Sequence, residues 1–138
     1  MMTNTYVIHG ELYSSKNSRQ TVPIRQSSGK VKLVPLKSKV ARKDERDLTF
    51  RLREEPFHSR ISEEITEKGF PVVMTFMIYR KTKRRFDYIN IVQNVLDCMV
   101  KVGILPDDDA NHVIPAFEPY GVDKENPRVE ISIRPSIS

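Results

Sequence analysis

Asp87, Asn90, Asn94 and Asp97 recur at three- and four-residue steps inside one apolar stretch, with Gln93 between them. At about 100° per residue they share one sector of a helical wheel with Lys101. Tyr88, Ile89, Ile91, Val92, Val95, Leu96, Cys98, Met99, Val100 and Val102 cover the rest of the wheel. An idle solvent face is usually rich in Lys and Glu. This strip instead carries short carboxylates and amides, the donors that suit a hard cation such as Mg²⁺ or Mn²⁺. The alternative is an ordinary solvated face with Asp87 as a helix N-cap. A basic cluster (Arg80, Lys81, Lys83, Arg84, Arg85) precedes the strip, and the run Asp107, Asp108, Asp109 follows it. Cations for phosphates and carboxylates for a metal within one short segment point to a metal-dependent nuclease.

Charge supports a polyanionic partner. The net charge of +5 divides into +10 over residues 1–85 and −5 over residues 86–138. A basic surface attracts nucleic acid and releases its counterions on binding. The plain alternative is a solvated surface. The chain has 138 residues, 30% of them charged and 38% hydrophobic. That suits one soluble domain spanning 1–138. No apolar run approaches the ~20 residues of a membrane span. The start, MMTNTYVIHGELYS, lacks the pattern of a signal peptide. A cytoplasmic protein is expected, with no membrane partner. The single cysteine, Cys98, excludes an internal disulfide and a multi-cysteine zinc site. Its apolar neighbours mark it as a core residue.

These residues must be positioned by a small set of elements. Tyr6–Leu12 reads as a first strand. Thr21–Arg25 and Lys30–Val34 flank a turn containing Gly29, so a hairpin is expected. Ser38 could cap a helix through the charged stretch that follows, although Leu48, Phe50 and Leu52 alternate like a strand. Pro56 must interrupt any helix there. Ser59 or Ser62 could cap a short helix ending before Gly69. Phe70–Tyr79 reads as a central strand buried on both faces. Asp87–Val102 is the main helix, with Gly103 at its C-terminal cap. His112–Phe117 and Arg128–Ile133 are further strands. The order describes an α+β domain on a mixed sheet with two or three helices.

The segment KRRFDYINIVQNVLDCMVKVGILPDDD resembles the signature region of RusA-like Holliday-junction resolvases, small endonucleases common in phages and prophages. The specific part spans residues 81–109. Lys83, Arg84 and Arg85 match the family's basic run. Asp87 matches its first aspartate, Asn90 its asparagine and Asp97 its helix aspartate. Lys101 and Gly103 match the helix exit, and Asp107-Asp108 the acidic pair whose second member is catalytic. Two positions depart from the pattern: the second aspartate falls on Ile89 and the catalytic lysine on Gln93.

The resemblance implies a RusA-like homodimer that hydrolyses phosphodiesters in four-way DNA junctions during recombination and repair. It implies Mg²⁺ (or Mn²⁺) held by Asp87, Asp108 and Asp107, with Asn90 and Gln93 completing the catalytic group. Lys81, Lys83, Arg84 and Arg85 would grip phosphates, joined by Lys16, Arg19, Arg25 and Lys30. The departures leave two versions open: a variant active enzyme, or a weakened protein of the same fold that binds branched DNA. An unrelated basic binding module, with Asp87 as a cap and Asp107–Asp109 as a turn, is the third reading. His112 reads as a turn or strand residue rather than a ligand. Phe86 and Tyr88 flank Asp87 and read as core aromatics, with base stacking the other use of their rings.

Overall fold

Val72, Met74, Phe76 and Ile78 alternate along one strand and are at most 2% exposed. They set the floor of the core in this computed structural model, which describes residues 4–12, 19–37 and 39–136. The strand is β4 (Val72–Arg80), preceded by β1 (Thr5–His9), the hairpin β2 (Arg19–Arg25) and β3 (Val31–Lys37), and helices α1 (Lys39–Arg53) and α2 (Phe57–Lys68). After it come α3 (Tyr88–Lys101), β5 (Val113–Phe117), β6 (Gly121–Val122) and β7 (Arg128–Pro135). The chain is thus a small α+β domain with three helices among the described residues. Its main sheet is mixed, in the order β1-β7-β4-β5, with β6 also beside β4. β7 is antiparallel to β1 and β4, whereas β5 and β6 run parallel to β4.

The parallel pairing of β4 with β5 needs a crossover, and α3 supplies it. The inward residues of β1, β4 and β7 form one core with Leu48 and Leu52 of α1, Ile61 and Ile65 of α2, and the apolar side of α3. On β4 the opposite residues, Thr75, Met77 and Tyr79, are only half-buried. The expected burial on both faces therefore holds only at the start of the strand, where Val73 is 6% exposed; beyond it the second face is partly open.

The strand-like alternation of Leu48, Phe50 and Leu52 is overruled by helix geometry. Leu48 and Leu52 are 1% and 0% exposed, four residues apart on one face of α1, while Phe50 points away at 69%. Ser38 lies outside the described residues. Ser59 and Ser62 do not cap α2 but lie inside it; the N-cap position is Pro56, and the Ser59 amide donates to Glu55 Oε1 at 3.0 Å. The hairpin is present, but as its own two-stranded sheet. Gly29 turns it with φ of 86°, a conformation that favours glycine. Gly103, at φ of 81°, ends α3 in the same way.

Candidate metal and nucleic-acid site

β4 ends on Arg80, which is 7% exposed and belongs to the interior rather than to the basic cluster. Its Nη1 donates to the Leu12 carbonyl at 2.8 Å, and its Nη2 lies 3.2 Å from Glu11 Oε1. Its guanidinium sits 4.7 Å from the Phe86 ring centroid. Glu11 also accepts from the Lys81 amide at 2.8 Å. A buried cation needs a partner of this kind. The Arg80–Glu11 pair thereby pins both ends of the loop 81–86, and Lys81, Lys83, Arg84 and Arg85 are exposed on it.

The loop delivers Asp87 at the start of α3. Asp87 has extended backbone, φ −110° and ψ 126°, and its carboxylate makes no capping bond to the helix amides. It accepts instead from Asn90 Nδ2 at 3.2 Å. The polar strip is largely as the wheel predicts, with two corrections. Asn94 is only 7% exposed and lines a cleft of about 520 Å³ against α1, with Asp44, Asp47 and Leu48. Ile89, assigned to the apolar side, is 72% exposed. Ile89, Gln93 and Asp97 therefore form one solvent-facing row at four-residue steps. Lys101, one turn further, pairs with Glu45 and ties α3 to α1.

Beyond Gly103 the chain folds back along α3. Ile104 and Leu105 are buried, and both of their amides donate to the Met99 carbonyl, at 2.9 and 3.3 Å. This return brings Asp108 to the middle of the helix. Gln93 Nε2 donates to Asp108 Oδ2 and to Asp97 Oδ1, each at 2.9 Å. Two carboxylates thus converge on one point, now filled by an amide donor. That donor set suits a hard cation bound through two carboxylates and completed by water and a substrate phosphate. Among the described residues, no group of three or more His, Cys, Asp or Glu side chains is arranged to hold a metal.

The other expected residues are placed as follows. Asp87 stands six residues before Gln93, about 9 Å of axial rise. Asp107 Oδ1 accepts from the Asp108 amide at 2.8 Å, fixing the turn. Asp109 is bound by His112 Nδ1, and the His112 ring packs edge-on against Phe70 at 5.0 Å. His112 is thus a turn residue, as the sequence suggests. Cys98 is fully buried, also as expected. Arg25 and Lys30 are exposed on the hairpin. Lys16 and the side chain of Arg19 lie outside the described residues.

The aromatic group is larger than the sequence reading of Phe86 and Tyr88 allows. Phe117, the last residue of β5, and Tyr120, just after it, join them: Phe86–Tyr120 centroids are 4.9 Å apart and Tyr88–Phe117 5.5 Å. The only signal in the sequence is a pair of aromatics around Pro119, which a strand end explains equally well. No helix of the described residues is long and apolar enough to cross a membrane. No family model and no curated protein matches the chain.

Proposed function

We propose that the protein is a divalent-metal-dependent, structure-specific endodeoxyribonuclease that cleaves phosphodiesters in four-way DNA junctions. The observation that carries this reading is the bond from Gln93 to Asp108. A loop carboxylate and a helix carboxylate both accept from one Gln93 nitrogen, on the helix that starts at a basic loop. The resemblance of residues 81–109 to RusA-like resolvases supplies the substrate, and with it a homodimer of cytoplasmic proteins acting in recombination and repair.

Asp108 and Asp97 would hold Mg²⁺ or Mn²⁺, with the Gln93 amide turned away from them. The hydrogen bonds support that pair over the expected Asp87 with Asp108, because Asp87 bonds Asn90 while Asp97 and Asp108 share Gln93. The metal, when bound, makes water a stronger nucleophile at neutral pH and screens the scissile phosphate. Lys81, Lys83, Arg84 and Arg85 hold the DNA backbone and position it without reading sequence. Asp87 and Asn90, linked to each other, stand between that loop and the metal pair and orient water. Gln93 sits where the family has a lysine, so transition-state charge is less well neutralised. Loss of a comparable stabiliser costs on the order of 10²–10³ in rate.

Ile89 favours a second reading. Exposed in the row with Gln93 and Asp97, it presents a side chain that cannot ligate at the position of a family carboxylate. A chain with that feature binds branched DNA with its basic loop and cuts it slowly or not at all. Incubating the protein with a synthetic four-way junction and with linear duplex, in Mg²⁺, Mn²⁺ or EDTA, separates the two. Metal-dependent paired cuts near the branch support the nuclease. Junction-selective binding without cuts supports the weakened protein, and neither binding nor cutting contradicts both.

A further inference from the structure

We propose that Phe117 and Tyr120, backed by Phe86 and Tyr88, form a stacking platform for an unpaired nucleotide base. This rests on the reading of the chain as a DNA-binding protein and adds a second kind of contact to it. The four rings form one continuous set: Phe86 meets Tyr88 at 5.2 Å and Tyr120 at 4.9 Å, and Tyr88 meets Phe117 at 5.5 Å. Phe76, fully buried on β4, stacks behind Phe117 at 6.4 Å with 30° between the rings. Core packing accounts for Phe86 and Tyr88, which are half-buried. It does not account for Phe117 and Tyr120, which leave 41% and 38% of their surface open.

The backbone that carries the exposed rings is also tied down. Tyr88 Oη accepts from the Tyr120 amide at 2.7 Å, and the Glu118 amide donates to the Phe76 carbonyl at 3.1 Å. The 117–120 segment is therefore tied through its backbone to both α3 and β4, so a base meets a surface whose main chain is already in place. Charge selects the occupant. Arg84 and Arg85 immediately precede Phe86, so phosphates have cations within two residues of the ring set. Every base has an uncharged π-face, and rings beside a cationic track are the common means of holding unpaired strands. A junction branch point is where paired bases are most easily freed.

The test uses the full-length chain with a single-stranded oligonucleotide, a matched duplex and a four-way junction carrying 2-aminopurine at the branch. Phe117→Ala with Tyr120→Ala is expected to weaken single-strand binding about tenfold and to leave duplex binding within about twofold. Quenching of 2-aminopurine by the wild type should disappear in that variant and return with Phe117→Tyr and Tyr120→Phe, which keep the rings. Equal loss on single strand and duplex, or no loss on either, overturns the platform while leaving the nuclease reading intact. Unchanged DNA binding with a smaller sedimentation coefficient also overturns it and makes the patch a contact between copies. Failure of the wild type to bind any DNA removes both readings.

Discussion

Gln93 and Asp108 are fifteen residues apart and joined by a 2.9 Å hydrogen bond that closes the loop after α3 onto the middle of that helix. The same Gln93 nitrogen holds Asp97 at 2.9 Å, so an amide occupies the point where two carboxylates meet. A positive charge at this point would be better satisfied than an amide, because charge-assisted hydrogen bonds are roughly twice as strong as neutral ones.

Gln93→Lys places an ammonium between those carboxylates. In the proposed nuclease that ammonium competes with the metal for Asp97 and Asp108, so half-maximal junction cleavage should need about tenfold more Mg²⁺. The gain in stability should stay within about 1 kcal/mol, since the pair is exposed. A lysine variant with an unchanged Mg²⁺ requirement would place the metal away from this pair.

The basic loop should be read by salt. Each of Lys81, Lys83, Arg84 and Arg85 that contacts a duplex phosphate contributes about 0.9 to the slope of log K against log salt. Replacing Arg84 and Arg85 with alanine should lower that slope by roughly two without changing the thermal midpoint. Titration by fluorescence anisotropy at several salt concentrations measures it, and an unchanged slope would place the DNA elsewhere.

Arg80 and Glu11 make the opposite case, a charge pair whose function is structural. Their side chains are 8% and 15% exposed. Glu11→Ala strands a buried guanidinium and should cost about 3 kcal/mol, seen by urea denaturation. It should also weaken DNA binding, because the Lys81 amide loses its anchor.

Tyr6 provides a pH signature. Burial first, and then its 2.8 Å hydrogen bond to Glu64, push its hydroxyl from 10.0 up to about 12. The folded state holds this proton more tightly than the unfolded chain does. The stabilisation is complete below pH 10 and is lost as pH rises from about 10 through about 12, by on the order of 2 kcal/mol. Tyr6→Phe should be less stable at neutral pH by about 1 kcal/mol and should flatten that alkaline decline. An unaltered decline in the variant would point to other titrating groups.

Helix register separates what the sequence shows from what it hides. Leu52→Ala should cost 2–5 kcal/mol by roughly the usual core range, whereas Phe50→Ser should change stability by less than about 0.5 kcal/mol. Equal costs would restore the strand reading of α1. Over three residues the period-two and period-3.6 patterns are hard to tell apart, and only the contacts of Leu48 and Leu52 with α3 and the sheet decide. The strand β4, the helix α3 and its glycine stop were legible because long apolar runs and Gly103 leave few alternatives. Asn94 and Ile89 were misplaced at the two edges of the strip, where the wheel angle alone does not decide which neighbour covers a residue. The approach of Asp108 to Gln93 was not legible at all, since it depends on the path of residues 103–108 after the helix ends. The aromatic group was half legible: Phe86 and Tyr88 stand beside Asp87 in sequence, but Phe117 and Tyr120 reach them only because β5 runs parallel to β4.

The central claim is tested most directly by cleavage of a labelled four-way junction in Mg²⁺, Mn²⁺ or EDTA by wild type and Asp108→Asn. The account predicts paired, metal-dependent cuts near the branch that Asp108→Asn abolishes while junction binding and thermal midpoint are retained. Cuts that persist in Asp108→Asn, or a wild type that neither binds nor cuts the junction, would contradict it.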